Sequence, residues 1–181
     1  MIKVDIQTHD VSHCKDKIDY LLQHLDNYKF RRATGFGRRS GESIKRDNLS
    51  EYEYINTRSV YRKPELKKEI EKVTDHLNLT PHTLVYYALR FQPNDFLDWM
   101  DYFLWQETRA FVGKFFSIAM EGEGVVDFKH TDSVIVPQYH AIEFSPKHIH
   151  AVKPVNTRQT WLVLMVSNHL VLKDNIYNKI V

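Results

Sequence analysis

The sequence predicts an α+β fold in which two N-terminal helices pack on one side of an antiparallel sandwich or jelly roll. Two observations carry this prediction. Before residue 83, two segments space their apolar residues as amphipathic helices do. After residue 83, short segments rich in Val, Ile, Phe and Tyr follow one another, and turn-like pieces such as QPND, EGEG and PQY separate them.

Two helices are predicted, at residues 15–28 and 64–79. The first segment, KDKIDYLLQHLDNY, and the second, PELKKEIEKVTDHLNL, each carry one apolar stripe. Pro64 suits the first turn of the second helix, and Pro81 ends it. The stripes consist of Ile18, Leu21, Leu22 and Leu25 in the first helix and of Leu66, Ile70, Val73 and Leu77 in the second.

Seven segments after residue 83 have the composition of strands. They are TLVYYALRF, FVGKFFSIAM, VVDF, SVIV, HAIEF, HAVKPV and TWLVLMV. We predict one domain over residues 1–181, with a helical N-terminal part at 1–82 and the jelly-roll strands at 83–181. The two parts belong together because the N-terminal part has too few apolar residues for a core of its own.

Composition restricts the functional classes. A formal net charge of +2 excludes a strongly basic nucleic-acid binder on total charge. The sequence contains no run of about 18 apolar residues, so no membrane span is expected. The N-terminus, MIKVDIQTHD, lacks the apolar core of a signal peptide, and Cys14 is the only cysteine. We therefore expect a cytoplasmic protein, or one assembled into a particle, and not one secreted through a signal peptide.

A basic segment at residues 29–46, KFRRATGFGRRSGESIKR, carries seven lysines and arginines and one acidic residue, and its glycines predict a loop. Its arginines alternate with aromatic residues, a pattern that could follow a phosphate backbone and stack on bases. A solvated loop and docking onto an acidic protein surface rank before nucleic-acid binding. The residues concerned are Arg31, Arg32, Arg38 and Arg39, with Phe30 and Phe36 beside them.

Four further pieces of sequence follow one another within residues 86–166. They are LRFQPNDFLDW, RAFVGKFFSIAMEGEGVVDF, VIVPQYHAIEFSPKHIHAVKPV and Arg158, eight residues after His150. In that order they resemble four features of the 2-oxoglutarate- and iron(II)-dependent oxygenases, in particular the prolyl-hydroxylase-like branch. Those features are the segment that leads to the first metal ligands, a strand that begins with Arg and is followed by a Gly-Gly turn, and the segment with the distal histidine. The fourth is a basic residue that binds the C5 carboxylate of 2-oxoglutarate. The resemblance implies a double-stranded β-helix, or jelly roll.

The resemblance also implies a ferrous ion held by two histidines and a carboxylate on one face. The first histidine and the carboxylate would come from an H-x-D pair. Counting from Pro93 places these ligands at Met100 and Tyr102, and a register one residue earlier places them at Trp99 and Asp101. A thioether binds hard ferrous iron poorly, and a neutral phenol brings no negative charge. The first histidine is therefore missing in either register.

His150 and Arg158 stand where the resemblance expects the distal histidine and the arginine for 2-oxoglutarate. Strand alternation puts His148 and His150 on one face, where each could also be an ordinary core or surface residue. Arg158 could equally be a surface salt-bridge partner, which is the interpretation we favour. A second H-x-D, His130 and Asp132, lies beyond the EGEG turn and close to His150, so we predict a solvated turn rather than a metal site.

An apolar and aromatic block spans residues 99–105, where the oxygenases keep a polar metal pocket. Directed inward, these side chains would fill the cavity, which is the interpretation we favour. Directed outward, they would form an exposed patch and thus an interface. The block consists of Trp99, Met100, Tyr102, Phe103, Leu104 and Trp105.

We predict a non-catalytic relative of the oxygenases, a pseudoenzyme that acts as a structural or protein-interaction module, such as a subunit of a larger, viral assembly. No cofactor is expected in that case. The alternative is a divergent iron(II)- and 2-oxoglutarate-dependent dioxygenase that hydroxylates a protein or nucleic acid. His150 and Asp101 would then bind the metal, and Arg158 would bind 2-oxoglutarate.

Overall fold

The structure, a computed structural model, describes residues 6–34, 50–100, 113–145 and 148–167. The strands are β1 (Gln7–Asp10), β2 (Arg31–Thr34), β3 (Glu51–Ile55), β4 (Thr83–Phe91), β5 (Leu97–Met100), β6 (Gly113–Glu121), β7 (Gly124–Phe128), β8 (Thr131–Val136), β9 (His140–Phe144), β10 (His150–Val152) and β11 (Gln159–Ser167). The helices are α1 (Lys15–Leu25), α2 (Thr57–Tyr61) and α3 (Pro64–His76), with short 3-10 turns at Ser12–Cys14 and Thr80–His82.

The strands form two antiparallel sheets. The larger sheet has seven strands in the order β1-β9-β6-β11-β4-β3-β2, and the smaller has four in the order β5-β10-β7-β8. Strands that neighbour each other in the sheets are mostly distant in sequence, so the chain crosses repeatedly between the two sheets. This arrangement is a jelly roll, and the predicted fold class is confirmed.

Apolar cores lie on both faces of the larger sheet. The inner core fills the space between the two sheets, and the helix-side core lies between the larger sheet and the helices. Both faces of β6 are therefore covered, which explains why every residue from Gly113 to Met120 is buried. On β6, Phe115 and Ala119 belong to the inner core, and Phe116, Ile118 and Met120 belong to the helix-side core.

The two predicted helices are confirmed, although each ends three residues before its predicted end, at Leu25 and His76. The apolar stripe of each one packs in the helix-side core, where, of the stripe residues, only Leu22 is partly buried. Each buried aliphatic side chain contributes about 1.5–3 kcal/mol, so packing stabilises these short helices more than their intrinsic propensity does. Pro64 is the first residue of α3, and the chain leaves that helix through Asn78 at φ 58°. None of the described helices is long and apolar enough to cross a membrane.

The N-terminal part contributes strands as well as helices, which the sequence did not predict. β1 pairs with β9, and β2 and β3 extend the other end of the larger sheet. Residues 31–34 of the basic segment are therefore an edge strand and not a loop. The remainder of that segment, including Phe36, Arg38 and Arg39, lies outside the described residues.

Candidate functional site

His150 lies on β10, in the middle of the smaller sheet, and only 7% of its surface is exposed. Its imidazole contacts three phenylalanine rings of the inner core. The ring centroids lie 4.8 Å from Phe144, 5.9 Å from Phe115 and 6.5 Å from Phe128. Phe128 comes from the neighbouring strand β7, whereas the other two belong to the larger sheet. The imidazole therefore points between the sheets.

This apolar environment controls the protonation of His150. Burial lowers the pKa of the imidazole to about 4, although a contact of its Nδ1 with the carbonyl oxygen of His148, at 3.2 Å, acts in the opposite direction. The ring is therefore neutral at pH 7. A neutral imidazole is the form that binds metals, and it is also the form that packs in an apolar core.

The strand register places Met100 beside His150. Met100 on β5 is the backbone partner of His150 on β10. The count from Pro93 placed the first metal ligand at this same residue, Met100. Asp101 and Tyr102, the alternative carboxylate position and the second position of that count, lie outside the described residues.

The described donors do not assemble a ferrous site. Within residues 6–34, 50–100, 113–145 and 148–167, no three His, Cys, Asp or Glu side chains are grouped so that they could hold a metal ion. His130, in the turn between β7 and β8, and Asp132, near the start of β8, are both exposed. Among the described residues, His150 therefore does not belong to a group of three such side chains, the number of protein ligands that a facial iron centre needs.

Arg158 precedes β11, and its guanidinium is paired with Glu121 at the end of β6. Its Nε and Nη2 donate to the two carboxylate oxygens of Glu121, each at 3.0 Å. Thr160 also donates to Glu121 Oε1, at 2.7 Å. Burial alone would raise the pKa of the Glu121 carboxyl, but these hydrogen bonds outweigh it and lower the pKa. The Nε and Nη2 donors, which would form a two-pronged contact with a carboxylate ligand, are therefore already bound to Glu121.

A buried arginine extends this network towards the helices. Arg90 on β4 is 6% exposed, donates from Nε to Thr160 Oγ1 at 3.1 Å, and pairs through Nη2 with Asp26 at the end of α1. The Phe30 ring lies 4.4 Å from its guanidinium carbon. The charges of Arg158 and Arg90 thus lie on the helix side of the larger sheet, whereas His150 points into the inner core.

Gln159, which follows Arg158, faces the opposite side and is fully buried. Its Oε1 accepts a hydrogen bond from Trp161 Nε1 at 2.9 Å, and its Nε2 has no hydrogen-bond partner among the described residues. Gly124 of β7 packs tightly on this pair, since an added Cβ would lie 2.2 Å from the Trp161 ring and 2.7 Å from Gln159 Oε1. Gln159 was not among the predicted site residues. Side chains alternate between the two faces of a strand, and Gln159 directly follows Arg158, so it lies on the other face.

The described part of the basic segment is engaged with acidic residues. Arg32 donates to both carboxylate oxygens of Asp95, at 2.5 and 2.7 Å, and lies 3.8 Å from Glu51. Arg31 is exposed. Of the aromatic block, Trp99 is 47% exposed, and residues 101–105 lie outside the described part of the chain.

Several solved structures that are similar to this chain are 2-oxoglutarate- and iron(II)-dependent oxygenases, which confirms the resemblance in fold. A Trichoplax adhaerens prolyl hydroxylase, solved with a peptide fragment of the hypoxia inducible factor oxygen degradation domain, is similar with a TM-score of 0.61 at 10% identity, over 92% of this chain and 85% of that one. The viral collagen prolyl hydroxylase of Paramecium Bursaria Chlorella virus-1, solved with 2-oxoglutarate, gives 0.56 at 12% identity, over 89% and 94%.

A Pseudomonas putida prolyl-4-hydroxylase is similar to the same degree, with a TM-score of 0.56 at 10% identity over 92% of this chain and 94% of that one. No protein-family model and no curated protein sequence matches this chain. The similarity therefore defines the class of fold, a 2-oxoglutarate-oxygenase-like jelly roll, and the site residues must be argued from their own geometry.

Proposed function

We propose that this chain is a non-catalytic protein on the oxygenase fold and acts as a protein-interaction module. One observation carries the proposal: His150, at the distal-histidine position, packs against Phe115, Phe128 and Phe144. An iron ligand needs an open coordination face with further polar donors beside it. The described surroundings of this imidazole are instead aromatic.

Two further features support the proposal. Arg158, at the position of the 2-oxoglutarate-binding arginine, is held by Glu121 on the helix side of the larger sheet. On the inner side, Gln159 and Trp161 bond to each other and are packed by Gly124. A dicarboxylate would have to compete with the Glu121 carboxylate for the Nε and Nη2 donors of the arginine.

The partner in this proposal is another protein or a larger assembly, and a viral particle is one hypothesis for it. The exposed ring of Trp99, at 47% of its surface, is suited to contact such a partner. A prolyl hydroxylase of the same fold was solved in complex with a peptide fragment, so a protein of this architecture can bind a peptide. A cytoplasmic location remains a prediction.

The test is an anaerobic calorimetric titration with Mn(II), a redox-inert substitute for Fe(II), with and without 2-oxoglutarate. The wild type would be compared with His150→Phe, which preserves an aromatic ring in the inner core, with Arg158→Ala, and with Arg62→Ala as a control at an exposed arginine. We expect no one-to-one binding in any of the four. Tight Mn(II) binding that 2-oxoglutarate strengthens, and that His150→Phe and Arg158→Ala both remove, would overturn the proposal.

The alternative function is a divergent iron(II)- and 2-oxoglutarate-dependent dioxygenase with His150 and Asp101 as ligands and Arg158 on the co-substrate. The neutral state of His150, whose pKa is about 4, meets one requirement of this alternative, since a neutral imidazole is the form that binds metals. Because Glu121 occupies Arg158, this alternative requires Glu121→Gln to bind 2-oxoglutarate more tightly than the wild type. The proposed non-catalytic protein shows no binding in either form.

A further inference from the structure

A pair of histidines on the surface of the helical layer has no role in the site described above. The Nδ1 of His13 lies 2.8 Å from the Nε2 of His76, and the ring centroids are 4.9 Å apart with planes inclined by 30°. The two imidazoles therefore meet nitrogen to nitrogen. One of these nitrogens carries the proton and donates a hydrogen bond, and the other accepts that hydrogen bond through its lone pair.

The pair joins segments that are far apart in the chain. His13 belongs to the 3-10 turn that leads into α1, and His76 is the last residue of α3, 63 residues later. Both side chains are exposed. Beneath them, α1 and α3 pack in the helix-side core through residues such as Ile18 and Val73. The backbones that carry the two rings are thus held in place by packing, independently of the rings themselves.

Charged side chains lie near the pair. The carboxylate of Asp10 is close enough to His13 to interact with it electrostatically, and the ammonium of Lys17 is close enough to His76. An incoming cation therefore meets a favourable charge on Asp10 and an unfavourable charge on Lys17.

We propose that His13 and His76 bind one divalent transition-metal ion of the zinc, nickel and copper class through Nδ1 and Nε2. Imidazole nitrogens are suitable ligands for these ions. With metal–nitrogen bonds of about 2.0–2.1 Å and a tetrahedral angle, the two nitrogens would lie roughly 3.3 Å apart. The observed 2.8 Å needs to open by about half an ångström, and the two exposed rings need to turn so that both lone pairs converge on the metal.

Binding conserves charge on the protein. The proton shared between the two nitrogens moves, through solvent, to the other nitrogen of the same imidazole, and both rings stay neutral. Water molecules complete the coordination, because no third His, Cys, Asp or Glu in the described parts of the chain is grouped with this pair. The metal would link the entrance of α1 to the end of α3, and it would stabilise the folded chain by an amount that rises with the logarithm of its concentration above the dissociation constant.

This site is independent of the oxygenase-like region. It lies in the helical layer, whereas His150 points into the inner core between the two sheets. The inference therefore holds whether the proposed non-catalytic function or the dioxygenase alternative is correct. The two tests can also be separated, because one depends on His150 and the other on His13 and His76.

The experiment is a calorimetric titration of the whole chain with Zn(II) at neutral pH. It would use the wild type, His13→Ala, His76→Ala and His150→Phe, with His24→Ala as a control. His24 lies on α1 and contacts Tyr28 rather than another histidine. We expect one-to-one binding in the wild type, His24→Ala and His150→Phe, and affinity lower by about ten-fold or more in His13→Ala and His76→Ala.

Thermal unfolding with and without Zn(II) supplies a second readout. The midpoint should rise by several degrees in the wild type and should not move in His13→Ala or His76→Ala. The proposal is overturned if the wild type does not bind Zn(II), or if His13→Ala and His76→Ala bind it as tightly as the wild type does. Loss of binding in His150→Phe alone would also overturn it, and would assign the metal to the inner core.

Discussion

The guanidinium of Arg158 and the carboxylate of Glu121 form a two-pronged pair, with both nitrogen–oxygen distances at 3.0 Å. The pair joins the end of β6 to the start of β11 and is connected to buried Thr160 and Arg90. Its two members differ in environment, since Arg158 is 40% exposed and Glu121 is 25% exposed. This asymmetry leads to the first prediction.

Glu121→Ala should destabilise the fold more than Arg158→Ala does. Removal of Glu121 leaves the Thr160 hydroxyl without its carboxylate acceptor and leaves Arg158 without its partner, so we expect a loss of about 1–2 kcal/mol in the free energy of unfolding. Removal of the more exposed arginine should cost less than about 1 kcal/mol. Urea unfolding at pH 7 measures both values. Equal losses would show that Thr160 does not depend on Glu121.

His150 should make the stability of the fold depend on pH. Its folded pKa of about 4 lies below the usual value of 6.5, so the unfolded chain binds a proton in this range while the folded chain does not. The folded state therefore loses stability as the pH falls from about 6.5 to about 4, by roughly 3 kcal/mol from this residue. Above pH 7 the residue has no such effect.

His150→Phe isolates this effect, because carboxylates that titrate in the same range are common to both proteins. Urea unfolding from pH 7.5 to 4.5 should show the wild type losing stability faster than the variant. Phenylalanine suits a position already surrounded by Phe115, Phe128 and Phe144, so the variant should fold. Parallel pH profiles would mean that His150 takes up its proton in the folded protein over the same pH range as in the unfolded chain.

Gly122, in the turn between β6 and β7, should not tolerate a side chain. Its φ is +74°, and an added Cβ would lie 2.5 Å from the carbonyl oxygen of Arg158. Gly122→Ala should therefore lower the free energy of unfolding by more than about 2 kcal/mol. Glu123→Ala, at an exposed residue of the same turn, is the control and should lie within about 0.5 kcal/mol of the wild type. A tolerated alanine at 122 would contradict the described close approach of this turn to Arg158.

Any binding of nucleic acid through the basic segment should depend mainly on Arg38 and Arg39 and only slightly on Arg32. The charge of Arg32 is already neutralised by Asp95, with two hydrogen bonds of 2.5 and 2.7 Å. Binding of a fluorescent single-stranded oligonucleotide should fall steeply with salt and in Arg38→Ala/Arg39→Ala, but only slightly in Arg32→Ala. Absent or salt-independent binding would dismiss the nucleic-acid hypothesis.

Much of the fold was predictable because its signals are local. The apolar stripes of α1 and α3 repeat within a single segment, and the segments TLVYYALRF and HAIEF coincide with the full extents of β4 and β9. The edge strands β1 and β2, and β3 beside β2, were missed because they are only four or five residues long and mostly exposed or half-buried. Such strands form because a neighbouring strand supplies hydrogen bonds, which local sequence does not reveal.

The sequence by itself determined the class of fold, and its resemblance to the oxygenases singled out His150 and Arg158. Only the tertiary structure decided what surrounds them. Glu121 is 37 residues from Arg158, and His76 is 63 residues from His13. Each of these pairs is brought together by sheet register or helix packing. A side chain's partner depends on contacts between segments distant in sequence, whereas the periodic pattern of a helix or strand is contained within one segment.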